Sequence, residues 1–300
     1  MIDPDSHRDE ECNFKSQFLV LYSLTMAKKS FKKISPNPIG IFDSGIGGLT
    51  VANAIHKVLP NESLIYFGDT AHLPYGDKSP DSIKYYGIRI AQFLLDKDCK
   101  MIVIACNTAS ALAYETVKDF VNGRVPVINV IDPVVDYIIE NKNAKKVGVI
   151  GTKGTIKSDI YPKRIRAKNK KIEVSSLATP LLAPMIEEGF FNNKISRSII
   201  ASYLSSRKLV KIDSLILACT HYPLIRTEVE EFYKKKIDIV DTAGVVAEKV
   251  KSLLKEKNIL SKSKKVKHHF YVSDFTKSFE ESTRFFFRNK IRLEKVDLWK

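Results

Sequence analysis

Cysteine is scarce in this chain: there are four in 300 residues, Cys12, Cys99, Cys106 and Cys219. That is too few for a disulfide scaffold and points to reduced thiols in a cytoplasm. No apolar run reaches the roughly 18–20 residues a membrane-crossing helix needs. The apolar stretch Phe18 to Leu24 is short and follows Asp3, Asp5, Asp9, Glu10 and Glu11, whereas a secretion signal opens on a basic region, so none is read. Cys-x2-Cys and His-x3-His spacings are missing, as are zinc-finger and RNP-type motifs. A dinucleotide fingerprint starting at Gly45 would need glycine at position 50, which is Thr50, and no Gly-Lys-Ser/Thr follows to make a phosphate loop.

What is present is a globular composition, 44% hydrophobic and 28% charged, with a net charge of +15. Residues 251–300 hold 14 Lys/Arg against 6 Asp/Glu, and so +8 of that excess. Without a recognition motif this reads as a lysine-rich solvated surface, and no nucleic-acid partner is expected. Residues 1–36 are polar, then briefly apolar, then basic, and read as an appendage of doubtful order.

From there apolar runs alternate with helical patterns. Ile39-Gly40-Ile41-Phe42 ends in the glycine-rich loop Asp43-Ser44-Gly45-Ile46-Gly47-Gly48, whose amides can approach a ligand. Met101 to Ile104 ends in Ala105-Cys106-Asn107-Thr108, and Leu215 to Leu217 ends in Ala218-Cys219-Thr220-His221. Gly148 restarts the pattern of Gly40 after 108 residues, and Cys219 repeats Cys106 after 113. Two such close offsets argue for an internal duplication. Alternating strands and helices imply parallel sheets with right-handed crossovers. The expected fold class is therefore α/β, with two similar doubly wound parallel-sheet domains related by pseudo-symmetry and a pocket between them. Residues 37–130 plus 242–300 would form the first domain and 131–241 the second.

Cysteines where a strand hands over to a helix gain from the helix dipole and free amides, which lower a thiol's pKa. Several uses stay open on the residues alone. Cys106, Cys219, His221 and Asp43 could gather round a zinc ion, although no ligand spacing supports it. Cys219 with His221 could form a nucleophile pair, which leaves the duplicated Cys106 unexplained. Both thiols could be buried packing residues, the reading given to Cys99. Or they could face each other across one pocket, one taking a proton from a carbon and the other delivering one to its opposite face.

Four segments carry a resemblance as well: Asp43 to Val51, Phe67 to Ala71 with Pro74-Tyr75-Gly76, Ala105 to Ser110, and Cys219 to Leu224. In this order and spacing they resemble the glutamate racemases, from about residue 38 to Asp297. The resemblance implies a cytoplasmic, cofactor-independent and metal-free enzyme that interconverts L- and D-glutamate and supplies D-glutamate for peptidoglycan. It implies that Cys106 and Cys219 are the two acid/bases, Cys106 toward D-glutamate and Cys219 toward L-glutamate, with Asp43, His221 and Glu187 assisting. Its substrate-binding pairs fall on Asp43 and Ser44, Tyr75 and Gly76, Asn107 and Thr108, and Thr220 and His221. Glu188, beside Glu187, competes for the helper position. A homodimer is the expected assembly. The alternatives are an aspartate or hydantoin racemase of the same superfamily, or a DNA-binding, gyrase-inhibiting role suggested by the basic surface.

Overall fold

The computed structural model describes residues 36–141, 143–287 and 291–300. The appendage up to residue 35, and Cys12 with it, lies outside the described residues.

The strands in chain order are β1 (Ile39–Asp43), β2 (Leu64–Gly68), β3 (Met101–Ile104), β4 (Val127–Asn129) and β5 (Lys146–Gly151). They continue as β6 (Glu173–Ala178), β7 (Ser214–Ala218), β8 (Asp238–Val240), β9 (His269–Val272) and β10 (Leu293–Lys295). Two sheets result, in the orders β10-β9-β2-β1-β3-β4 and β6-β5-β7-β8. Every pairing in both sheets is parallel. The fold is α/β, as the alternation requires.

β1, β2, β3 and β7 are buried at every residue, because helices cover both faces of a parallel sheet. β6 lies at a sheet edge, and its Glu-Val-Ser-Ser-Leu-Ala sequence is only half-buried. The order β2-β1-β3-β4 recurs as β6-β5-β7-β8, so the duplication seen in the sequence offsets is a duplication of strand order. β9 and β10 extend only the first sheet, on its β2 edge.

In each sheet the chain leaves the central strand in one direction and returns on its other side. The switch point therefore lies between β1 and β3 in the first sheet and between β5 and β7 in the second. Ligands of open α/β sheets bind outside the carboxyl ends of the strands at such a point. Asp43 ends β1, Cys106 follows β3, Thr152 follows β5 and Cys219 follows β7. The motif residues thus meet at the place where each sheet reverses.

Helix ends follow local chemistry. Ser79 accepts the Ser82 N–H and Pro80 opens the helix Pro80–Asp96, while Asp241 accepts from Ala243 and Gly244 at the start of Thr242–Glu256. The helix Thr242–Glu256 packs along Leu49–Val58, which brings the chain back to the first sheet after β8. Some helices have no counterpart in the reading by periodicity: Lys153–Lys157, Ile160–Lys168, Arg226–Phe232 and the short helix Leu182–Glu187, inside a segment with two prolines. The last of these ends on Glu187.

Candidate active site

Asp43 is fully buried, and its Oδ2 accepts the N–H groups of Gly45 at 3.2 Å and Gly48 at 2.9 Å. The glycine-rich loop therefore curls its amides around this carboxylate, which occupies the place an external anion would take. Ser44 follows, half-buried, and its Oγ lies 3.7 Å from Cys106 Sγ as the acceptor of that thiol. Cys106 caps the helix Asn107–Leu112, taking the Ala109 N–H on its sulfur at 3.4 Å. Asn107 Oδ1 accepts from Tyr161 at 2.7 Å, which leaves its amide NH2 as a donor for a ligand.

In the second half Cys219 Sγ lies 3.6 Å from His221 Nδ1. The ring's other nitrogen is 2.8 Å from Glu187 Oε1, an ion pair that is not aligned as a straight hydrogen bond. His221 thus sits between a thiol and a carboxylate, with the Phe286 ring edge-on at 5.4 Å. Glu188 is exposed, so of the two neighbouring carboxylates Glu187 is the one that reaches the histidine.

Three sets of contacts join the halves. Thr220 Oγ1 donates to Asp43 Oδ1 at 3.4 Å, and Thr50 Oγ1 donates to the Thr220 carbonyl at 2.9 Å. The hydroxyls of Thr108, Thr152 and Thr155 form a triangle with edges of 2.9, 3.0 and 3.2 Å. Gly76 and Gly154 complete the join: a Cβ on Gly76 would lie 2.9 Å from Thr152 Cβ, and one on Gly154 would lie 3.2 Å from the Gly76 carbonyl. All of the residue pairs expected from the sequence are thereby gathered at one junction. Tyr75 is the least direct, because its buried hydroxyl donates to Asp69 at 2.7 Å and leaves mainly its backbone to offer a ligand.

The two thiols have different surroundings. Burial pushes the Cys106 thiol up to about 12, and the Asp43 carboxylate and the second thiol add to this, against the Ala109 N–H and Ser44. The helix-start effect read from the sequence is present but outweighed: one amide cannot offset full desolvation beside an anion. Nor does a helix start at Cys219, where the chain makes the short 3-10 turn Tyr222–Ile225 instead. Burial would lower the His221 pKa, but Cys219 and Glu187 outweigh it and hold the ring well above its ordinary value. Asp43 is raised by burial, against His221 and the loop amides. Cys106 therefore rests as a thiol, whereas Cys219 has an imidazolium beside it.

Iodoacetamide should report this directly. With a thiol pKa of about 12, alkylation of Cys106 should quicken about tenfold per pH unit from about pH 7 to pH 9.5 without levelling off, because only the thiolate reacts. Site-resolved mass spectrometry measures it, and a plateau near pH 8 would contradict the geometry.

Sequence reasoning passed over several residues placed here. Thr152 and Thr155 bind Thr108, and the repeat could have flagged Thr152 as the counterpart of Ser44. Asp69 lay within a quoted motif but without a role. His72 pairs with Asp69 at 3.0 Å. His268 accepts the Leu64 N–H at 3.2 Å, and His269 lies 3.1 Å from Glu294 Oε1. Cys99 is buried and free, in line with its packing role. Among the described residues no three His, Cys, Asp or Glu side chains are grouped as a metal ion would require, which is the geometry the zinc alternative needed.

Residues 49–250 match the family model described as Asp/Glu/Hydantoin racemase. A glutamate racemase of Geobacter metallireducens is 43% identical over 80% of this chain and 89% of its own length. One from Chlorobaculum tepidum is 41% identical over 85% of this chain and 94% of its own. The crystal structure of glutamate racemase from Francisella tularensis in complex with D-glutamate superimposes with a TM-score of 0.82 at 39% identity, over 88% of this chain and 98% of that one.

Proposed function

This chain belongs to the Asp/Glu/Hydantoin racemase family, and we propose that it interconverts L- and D-glutamate by moving protons between two opposed thiols. The observation that carries the reading is the unequal pair. Cys106 and Cys219 end equivalent strands of two sheets with the same strand order, and each has its own polar helper. Ser44 and Asp43 stand beside the first, and His221 with Glu187 beside the second.

With L-glutamate, Cys219 takes the Cα proton, with His221 3.6 Å from its sulfur and Glu187 behind the ring. The Cys106 thiol, held protonated by burial and Asp43, delivers its proton to the opposite face. The product is D-glutamate, and the protein is left with its thiols in the reverse state, ready for that enantiomer. The carbanion is enolate-like, and donors preorganised at the substrate carboxylate supply much of its stabilisation. The Asn107 amide group, the Ser44 and Thr108 hydroxyls and the backbone at Tyr75–Gly76 form that donor set, and Thr220, whose hydroxyl donates to Asp43, ties the two halves together beside it.

Residues 37–130 with 242–300 serve as one domain and 131–241 as the other. The first sheet drawing its strands from both flanking stretches, and the second from the middle one, supports this division. We place the enzyme in the cytoplasm as a homodimer that supplies D-glutamate for peptidoglycan. The free thiols support a reducing compartment, and among the described residues no helix is long and apolar enough to cross a membrane.

Circular dichroism of L-glutamate, D-glutamate, L-aspartate and a hydantoin with purified protein decides the substrate. Glutamate signals should decay to zero from either enantiomer while aspartate stays at least about a hundredfold slower, since a missing methylene withdraws the side-chain carboxylate from its donors. Inversion of aspartate without glutamate would overturn the proposal.

A further inference from the structure

Trp299 is the only tryptophan in the sequence. Its indole N–H donates to Asp69 Oδ1 at 3.0 Å. The same buried carboxylate accepts Ser273 Oγ at 2.8 Å, the Tyr75 hydroxyl at 2.7 Å and His72 Nδ1 at 3.0 Å. Asp69 itself follows β2, and its N–H donates to the Asp43 carbonyl at 3.0 Å. One desolvated anion is thus held by donors from three separate parts of the chain, and it stands directly between Asp43 and Tyr75. A buried carboxylate is tolerable only with such a set, because charge-assisted hydrogen bonds replace its hydration.

The tail is held as well as holding. Arg89 Nη2 donates to the Leu298 carbonyl at 2.6 Å. The indole meets the His72 ring edge-on at 4.6 Å and the Tyr86 ring at 5.3 Å, and His72 stacks flat on Tyr86 at 4.1 Å. Without the indole N–H, Oδ1 keeps Ser273 and a longer His72 contact of 3.1 Å. The carboxylate then has one donor fewer, and the acceptor that aims the Tyr75 hydroxyl is held less firmly. Gly76 follows Tyr75 directly, and it packs against Thr152 with no room for a methyl group.

We propose that Trp299 is a positioning residue, which holds the Tyr75–Gly76 segment of the substrate site in place through Asp69. It touches no reacting atom. The inference rests on the glutamate reading for its kinetic consequence but not for the coupling itself.

Trp299→Phe keeps an aromatic ring in the stack and removes only the donor. KM for both glutamate enantiomers should rise about tenfold with kcat changed by less than about twofold, the pattern of lost positioning rather than lost chemistry. Tyr75→Phe should raise KM similarly, and the double variant should be no worse than the worse single one, because both break one chain of contacts. An unchanged KM in W299F, or strictly additive effects, would overturn the proposal. A second readout needs no substrate and does not require W299F to fold. The 15N spectrum holds a single indole N–H signal, which should exchange slowly with solvent and shift in Tyr75→Phe. A signal that ignores Y75F would also overturn the coupling. A wild-type protein inert toward glutamate would instead refute the functional reading, while the indole signal still decides the coupling.

Discussion

Cys106→Ser and Cys219→Ser should each lower racemisation of glutamate by at least about a thousandfold, in either direction. The two-thiol proposal requires a large effect, because it places each thiol on its own face of Cα, as acid in one direction and base in the other. A serine hydroxyl is a far weaker acid, and the buried site beside Asp43 raises even a thiol to about 12. Heavy water sharpens the test. The wild-type protein should place deuterium at Cα of the inverted product, and neither variant should invert at all. A variant that keeps full activity would reject the two-thiol mechanism and leave a single residue to swing between faces. Loss in only one direction is not expected, since inversion in either sense uses both groups.

The second large effect is expected at Gly47. A Cβ there would stand 2.4 Å from His221 Cε1 and 2.6 Å from both His221 Nδ1 and Thr220 Oγ1. The imidazole is confined by Cys219 on one side and Glu187 on the other, so it cannot step aside without breaking one of these contacts. Gly47→Ala should cost about 1–3 kcal/mol of stability by overpacking. It should also cut kcat/KM about a hundredfold, because a displaced His221 no longer supports its thiol. Gly45→Ala is the contrast two residues away: its Cβ would meet only Leu73, at 3.6 Å. Urea midpoints and kcat/KM for the two variants should separate clearly, and equal behaviour would contradict the packing described for this loop.

These outcomes depend on different kinds of information. The apolar runs before Asp43, Cys106 and Cys219 were sufficient to place parallel strands, because a strand buried on both faces must be apolar throughout. The close offsets between the copies, 108 and 113 residues, foretold the repeated strand order, since duplicated segments bury the same faces. With the strand ends known, the candidate residues were legible as exits from those strands. Their inequality was legible only in part. Asn107-Thr108 and Thr220-His221 already differ in the chain, but the identical Ala-Cys steps give no sign that Cys106 lies beside a buried carboxylate, or that a 3-10 turn rather than a helix follows Cys219.

The fold class, the strand-end placement of the two thiols and the residues that flank them follow from the sequence itself, because strand burial and loop chemistry are local. What the tertiary structure alone decided are the long-range partners: Glu187 rather than Glu188 on His221, the Thr108–Thr152–Thr155 triangle across the junction, and Trp299 on Asp69. Asp69 and Trp299 are 230 residues apart. Neither has a local pattern that names the other, since a hydrogen bond closed by the whole fold leaves no periodicity in the chain. Burial works the same way: it is a property of everything packed around a group, and here it reversed the thiol pKa that the local helix start implied.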